Sequence, residues 1–114
     1  MSCFSETPMQ SLNNHSFFHT LEAPGASGLV VFTKPGCGAC RHIKALLLAL
    51  GPSLPAPLYE LNVEESPGVA AELDVFHLPA MFLFRDGALW GEIHAEARRE
   101  ALLAAIDATW AAGA

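Results

Sequence analysis

The sequence predicts an α/β protein with a central mixed β-sheet flanked by helices on both faces. Short apolar runs of strand length alternate with segments of helical period in the first half of the chain, which favours parallel strands there. Asp86-Gly87 separates two further apolar runs and is a strong hairpin turn, so the far edge of the sheet is expected to be antiparallel. Proline and glycine occur at most of the junctions between these segments.

The first elements are a short strand around residues 9–12 and a helix after it. Asn13 and Asn14 are residues that cap helix N-termini, and we expect them to begin this helix. Pro24-Gly25 is expected to end it. Three apolar side chains have the spacing of one helix face: Phe17, Phe18 and Leu21.

A buried strand and a longer helix follow. Residues 29–32 form a continuous β-branched and aromatic run, which is typical of a strand covered on both faces. The next helix is predicted over residues 38–50, ended by Gly51-Pro52, with Arg41, His42 and Lys44 facing water. Its apolar face is expected to comprise Ile43, Leu46, Leu47 and Leu50.

The second half of the chain continues the alternation. Residues 58–63 read as an alternating strand, and a short helix follows Ser66, with Pro67 in its first turn. The hairpin pairs residues 80–84 with residues 89–93. A last helix places four apolar side chains at spacings of three and four: Leu102, Leu103, Ile106 and Trp110.

Length and composition limit the classes of function. The chain has 114 residues, 52% of them hydrophobic, which allows one compact domain over residues 9–114 after a flexible leader at residues 1–8. The net charge of −6 argues against nucleic-acid binding, which needs clustered basic residues. No apolar stretch approaches the roughly 20 residues of a membrane span. The first residues lack a secretory signal pattern, so we expect a cytoplasmic protein, the alternative being that a leader was removed. A monomer is also expected.

The strongest chemical pattern is a pair of cysteines at the junction of the buried strand and the second helix. Cys37 lies at the predicted helix N-terminus, where unpaired N–H groups and the helix dipole stabilise a thiolate and lower the thiol pKa. The thiolate is the attacking species in disulfide exchange. Cys40 follows one helical turn later, close enough to resolve a mixed disulfide, and the small residues Gly38 and Ala39 leave Cys37 accessible. Cys3 stands alone and is read as an incidental thiol.

Residues 9–112 resemble thioredoxin. The motif Cys-Gly-Ala-Cys follows a buried strand as the active site of that family does. Downstream segments appear in the family's order: Leu61-Asn62-Val63, Pro67-Gly68 and Leu78-Pro79-Ala80-Met81-Phe82-Leu83-Phe84-Arg85-Asp86-Gly87. The resemblance implies a thioredoxin-like fold. It also implies that Pro79 is cis and faces the cysteine pair, with Leu78 offering its backbone to a substrate strand.

Several residues depart from the family's pattern. Val31 replaces a buried aspartate that moves protons for the second thiol, and Glu60 replaces the lysine paired with that aspartate. Gly36 replaces a tryptophan before the first cysteine, where a substrate would bind, and Ala45 replaces a proline that kinks the helix. We hypothesise that Glu60 lies beneath the site and acts as a substitute proton acceptor. The alternative is a carboxylate in water at an edge of the sheet.

The stretch from Thr33 to Cys37 also resembles glutaredoxin, but the residue before Pro79 and the segment around Trp90 do not. Direct use of glutathione is therefore the less favoured interpretation. His42 is interpreted as exposed to solvent, and Trp90 as filling core or edge space. His77 lies beside Leu78-Pro79 and is interpreted equally as a substrate contact or as an ordinary loop residue.

The sequence therefore predicts a thiol–disulfide oxidoreductase that reduces protein disulfides, with Cys37 as nucleophile and Cys40 as resolving thiol. A separate reductase or a thiol donor would supply electrons, because the chain has no glycine-rich nucleotide motif, and no bound cofactor is expected. One alternative is a thioredoxin-fold binding module or scaffold with residual redox activity. Others are a metal or iron–sulfur site shared between two chains through the cysteine pair, and an oxidant or isomerase.

Overall fold

A computed structural model describes residues 9–112, so the predicted leader at residues 1–8 and the last two residues lie outside the described part. Five strands form one mixed sheet in the order β1-β3-β2-β4-β5. The strands are β1 (Gln10–Leu12), β2 (Gly28–Thr33), β3 (Leu58–Asn62), β4 (Ala80–Arg85) and β5 (Ala88–Ile93). The helices are α1 (Phe17–Leu21), α2 (Gly38–Leu50), α3 (Pro67–Glu72) and α4 (Arg99–Ala111). The predicted mixed sheet is confirmed.

The direction of each strand follows the sequence pattern. β2 is central and buried along its whole length, as its continuous apolar run predicts. It pairs in parallel with β3 and antiparallel with β4, and β1 adds to β3 in parallel. The Asp86-Gly87 turn joins β4 to β5 as the expected antiparallel hairpin.

Successive side chains along the strands point to opposite faces of the sheet, where they pack into two separate hydrophobic cores. One core lies under α2 and α4 and includes Leu29 and Val31 of β2. The other lies under α1 and α3 and includes Val30 and Phe32. In the second core Phe17 makes edge-on ring contacts with Phe32 at 5.8 Å between centroids, a geometry that aromatic quadrupoles favour.

The expectation that Asn13 and Asn14 cap the first helix holds for Asn13 and is wrong for Asn14. The side chain of Asn13 accepts the N–H of Ser16 at 2.9 Å and so caps the turn that leads through Ser16 into α1. The side chain of Asn14 accepts the N–H of Val69 at 3.1 Å and so caps α3, whose own N-cap, Ser66, makes no side-chain cap. A sequence pattern cannot distinguish a local cap from one supplied by another loop.

The second helix has the predicted bounds. It ends in a 3-10 turn over Gly51–Ser53, where glycine and proline stop the α-helical hydrogen bonding. Arg41 and His42 are exposed as expected. Lys44 is not simply solvated, because its ammonium contacts a carboxylate of β3, as described below.

The C-terminal helix is attached to the hairpin by an aromatic clamp. The guanidinium of Arg85 lies between the rings of Trp90 and Trp110, 5.0 and 4.8 Å from the two ring centroids. Arg85 also donates to the carbonyl of Trp110 at 2.6 Å, and the indole N–H of Trp90 donates to Ala112. These contacts fix the last turn of α4 against β4 and β5. No helix in the described part of the chain is long and apolar enough to cross a membrane.

Candidate active site

The first cysteine of the motif is the N-cap of α2, as the sequence predicts. Cys37 has an extended backbone, and its Sγ accepts the N–H of Cys40 at 3.1 Å. This N–H belongs to the first turn of the helix, where backbone donors have no partner within the helix. When the pair is reduced, the same donor and the helix dipole would stabilise negative charge on Sγ.

The two cysteines form a disulfide in this structure. Their Cα atoms are 5.2 Å apart, within the ordinary range for a bonded pair. Cys37 is partly exposed, whereas Cys40 is only 1% exposed and lies within the first turn of α2. The accessible sulfur is therefore that of Cys37, and an incoming thiolate or disulfide would meet it first.

The segment before β4 carries the predicted proline. The Leu78–Pro79 peptide bond is cis, as the family resemblance implies. Leu78 and Lys34 line one open groove of about 440 Å³, whose other walls are mainly apolar. Phe76 projects into solvent beside it with 83% of its surface exposed. This groove runs between the segment before Pro79 and the loop that leads to the cysteine motif.

Glu60 lies against the inner side of the motif. It is paired in register with Val31 of β2, so the two side chains lie on the same face of the sheet, the face covered by α2. Its side chain is 22% exposed; Thr33 donates to Oε2 at 2.6 Å, and Lys44 Nζ lies 2.9 Å from the same oxygen. The expected alternative, an edge carboxylate in water, does not describe this environment.

Glu60 and Cys40 share one pocket of about 220 Å³, which we call the Cys40 pocket. It is lined by Thr33, Lys34, Pro35, Gly36, Cys40, Arg41, Lys44, Glu60 and Asn62. A pocket of this size has room for water molecules.

The remaining predicted positions lie around the motif. Gly36, Gly38 and Ala39 are exposed, and no atom outside the adjacent residues comes within 4 Å of the place where a side chain at Gly36 would begin. His42 is exposed and its ring contacts the carbonyl of Ala97 at 3.3 Å. Within residues 9–112, no group of three or more histidine, cysteine, aspartate or glutamate side chains could hold a metal ion.

Comparison with known proteins agrees with this geometry. The family model described as Thioredoxin matches residues 8–108. The chain belongs to the thioredoxin family. Thioredoxin AMT13 of Alternaria alternata is 33% identical over 105 residues, which cover 90% of this chain and 86% of that protein. A thioredoxin of Chlamydia muridarum is 37% identical over 65 residues, covering 54% of this chain and 64% of that one.

Solved structures also match the fold. A chain from a study of the thiol resolving mechanism in yeast mitochondrial 1-Cys peroxiredoxin via glutathione/thioredoxin systems has a TM-score of 0.76 and 27% identity, covering 90% of this chain and 96% of that chain. Spinach chloroplast thioredoxin f has a TM-score of 0.78, with coverage of 93% and 96%, and at 19% identity it supports the fold alone. Thioredoxin family membership and the cysteine pair together support a general thiol–disulfide oxidoreductase activity.

Lys44 and Thr33 are the site residues that the sequence analysis missed. The sequence analysis predicts that Lys44 faces water, although Lys44 lies four positions after Cys40 and therefore on the same helix face. That spacing could have indicated it. Thr33 lies at the end of an apolar strand and is 4% exposed, and no sequence pattern indicates its bond to Glu60.

Proposed function

We propose that this thioredoxin-family protein reduces disulfides in other proteins by dithiol exchange. Cys37 is the nucleophile and Cys40 the resolving thiol. The observation that carries the proposal is the arrangement of the two sulfurs: Cys37 is accessible at the helix N-cap with a backbone N–H on its Sγ, and Cys40 is buried one turn later.

The electrons and bonds balance in two steps. The Cys37 thiolate attacks one sulfur of the substrate disulfide, and the other substrate sulfur leaves as a thiolate. The Cys40 thiol then loses its proton, and its thiolate attacks Sγ of Cys37. The mixed disulfide breaks, the second substrate thiolate leaves, and the Cys37–Cys40 disulfide forms. A separate reductase or a dithiol donor returns two electrons to the pair.

Substrate binding is proposed for the residues that surround the accessible sulfur. Gly36, Gly38 and Ala39 are small and exposed, which supports close approach of a polypeptide to Cys37. The groove beside Leu78 supports an extended substrate segment, with the backbone next to cis-Pro79 available for hydrogen bonds.

Glu60 is proposed as the acceptor of the Cys40 proton. Its position in the Cys40 pocket supports this role, because it is the carboxylate that lines the pocket together with that thiol. The family's own proton-transfer aspartate is replaced by Val31, which leaves this function to another group.

The test is reduction of insulin disulfides with dithiothreitol as electron donor. We expect catalysis by the parent chain and by a Cys3→Ser control, and none by Cys37→Ser. Cys40→Ser in a Cys3→Ser background, reduced and then freed of dithiothreitol, should accumulate a covalent mixed disulfide with insulin on Cys37, which intact mass measures directly. An intact fold with no catalysis in the parent chain would refute the proposed activity and favour a scaffold or a metal site shared between chains.

The cytoplasmic location stays a prediction, since the relatives include chloroplast thioredoxins of spinach and pea. Fractionation of cells that express the full chain tests it.

A further inference from the structure

We propose that Thr33 and Lys44 are positioning residues that hold Glu60 by one carboxylate oxygen and leave the other to take the proton of Cys40. This inference rests on the proposed dithiol exchange and goes beyond it, because it assigns roles to two residues outside the cysteine motif and its substrate surface.

Both contacts of the Glu60 carboxylate are made by the same one of its two oxygens. Thr33 Oγ1 donates at 2.6 Å and Lys44 Nζ lies 2.9 Å away, and both meet Oε2. These are the contacts of the Glu60 carboxylate within residues 9–112, so Oε1 is the oxygen that remains for a proton. Hydrogen bonds to a charged acceptor are stronger than neutral ones, so these two contacts hold Oε2 in place.

The two groups that contact Glu60 approach it from different elements of the fold. Thr33 ends β2 and is 4% exposed, so its hydroxyl approaches from the sheet and has little freedom. Lys44 approaches from α2, one helical turn after Cys40 and on the same face of the helix. Glu60 is therefore held between the strand that leads into the motif and the helix that carries the buried thiol.

In the proposed step, the proton of Cys40 moves to Glu60. The S–H bond of Cys40 breaks and its proton goes to Oε1 of Glu60, directly or through water in the Cys40 pocket. The Cys40 thiolate then attacks Sγ of Cys37 and releases the substrate thiolate. Because Glu60 is 22% exposed, the carboxyl group returns its proton to solvent before the next cycle. Thr33 and Lys44 exchange no proton in this scheme.

The experiment separates attack from resolution. Reduced protein, in a Cys3→Ser background, is mixed with 5,5′-dithiobis(2-nitrobenzoate) in a stopped-flow instrument. The first equivalent of thionitrobenzoate reports attack by Cys37, and the second reports resolution by Cys40. Absence of the first phase would refute the proposed dithiol exchange, whatever the roles of Thr33 and Lys44.

Lys44→Met should slow the second phase by about two- to fivefold at neutral pH, the effect of losing a partly exposed ion pair of up to about 1 kcal/mol. Lys44→Arg should restore it. The difference in second-phase rate between Lys44→Met and the parent should be largest in mildly acidic solution. It should disappear as pH rises past about 8.5, where solvent alone ionises a thiol. Arg99→Met removes an exposed cation of α4 and is the matched control.

Thr33 offers a second matched pair. Thr33→Val keeps the shape and removes the donor, whereas Thr33→Ser keeps the donor, so only the valine variant should slow the second phase. Glu60→Gln should slow it at least as much, and neither Lys44→Met nor Thr33→Val should add to that loss. A second phase in Lys44→Met that equals that of Arg99→Met at every pH would overturn the proposal. The proposal would also be overturned if adding Lys44→Met to the Glu60→Gln variant slowed the second phase by the same factor as Lys44→Met alone.

Discussion

Returning the family's aspartate to this chain should destabilise it strongly. Val31 is 0% exposed, lies in the middle of the central strand and packs in the core beneath α2 and α4. Its neighbour in register is Glu60, so Val31→Asp brings a second carboxylate beside an existing one on the same face of the sheet. The Lys44 ammonium is already engaged by Glu60.

The size of the effect follows from two losses. Burial of a valine side chain contributes about 1.5–3 kcal/mol, which the substitution removes. An ion taken from water into a protein interior carries a penalty of several kcal/mol when no partner compensates it. We therefore expect Val31→Asp to lower the free energy of unfolding by at least about 4 kcal/mol, a large part of the roughly 5–15 kcal/mol of a typical domain.

Urea denaturation of the oxidised protein measures this difference, with Val31→Asn as the uncharged control of nearly the same shape. Burial raises the pKa of the introduced carboxyl above its unfolded value of about 3.9. The charge penalty is therefore absent below about pH 4, grows as pH rises from there toward the folded-state pKa, and is complete above it. The two variants should have similar stability in acid and diverge toward neutral pH.

A compensating pair tests the cause. Glu60→Lys in a Lys44→Met background places one ammonium opposite the introduced carboxylate and removes the competing one. Breaking a buried ion pair costs about 3–5 kcal/mol, so the added ammonium should recover about 3 kcal/mol of the loss. The reasoning is refuted if Val31→Asp lies within about 1 kcal/mol of Val31→Asn at neutral pH, because position 31 would then be open to water.

Two further substitutions probe the frame that holds the site. Arg85→Ala should lower the free energy of unfolding by about 2–3 kcal/mol, because it removes a bond to a carbonyl and the cation between Trp90 and Trp110. Thermal unfolding followed by tryptophan fluorescence measures it, and an unchanged midpoint would contradict the clamp. Gly87→Ala should destabilise by more than about 1 kcal/mol, since Gly87 has a φ of +80° and an added Cβ would meet a backbone carbonyl oxygen at 2.7 Å. Gly25 has a similar φ of +78°, but an added Cβ would meet no atom within 4 Å. Urea denaturation should therefore show a smaller loss of stability for Gly25→Ala than for Gly87→Ala, and equal losses would exclude a steric clash at Gly87.

The elements that the sequence predicts best are those set by burial or by residues that act locally at their ends. β2 is covered on both faces, and its residues 29–32 are accordingly a continuous apolar run of strand length. The bounds of α2 follow from Cys37 at one end and the glycine and proline at the other, which act locally. The hairpin at Gly87 is fixed by turn residues in the same way.

The residues that sequence misplaced are those whose partners lie far away in the chain. Asn14 has the chemistry of a cap, but its partner is Val69 in another helix. The sequence carries no local signal for the contacts of Arg85, because only the packing of α4 brings two indole rings around it. The sequence places Lys44 on the surface of a helix. Glu60 lies within reach of its ammonium only because of the register between β3 and β2. Contacts of this type depend on the folded geometry, which local periodicity does not encode.

The proposed transfer of the proton-accepting role from position 31 to Glu60 has a physical rationale in the sheet. Position 31 is sealed within the central strand, where a carboxylate is poorly solvated and its charged form is disfavoured. Position 60 lies on the adjacent strand with 22% of its side chain exposed, yet still lines the pocket of Cys40. A glutamate on that strand carries a smaller desolvation penalty than a carboxylate at position 31 would, and Lys44 compensates the charge that remains. The chain thus has a carboxylate in the pocket that Cys40 lines, while its central strand stays apolar up to Thr33.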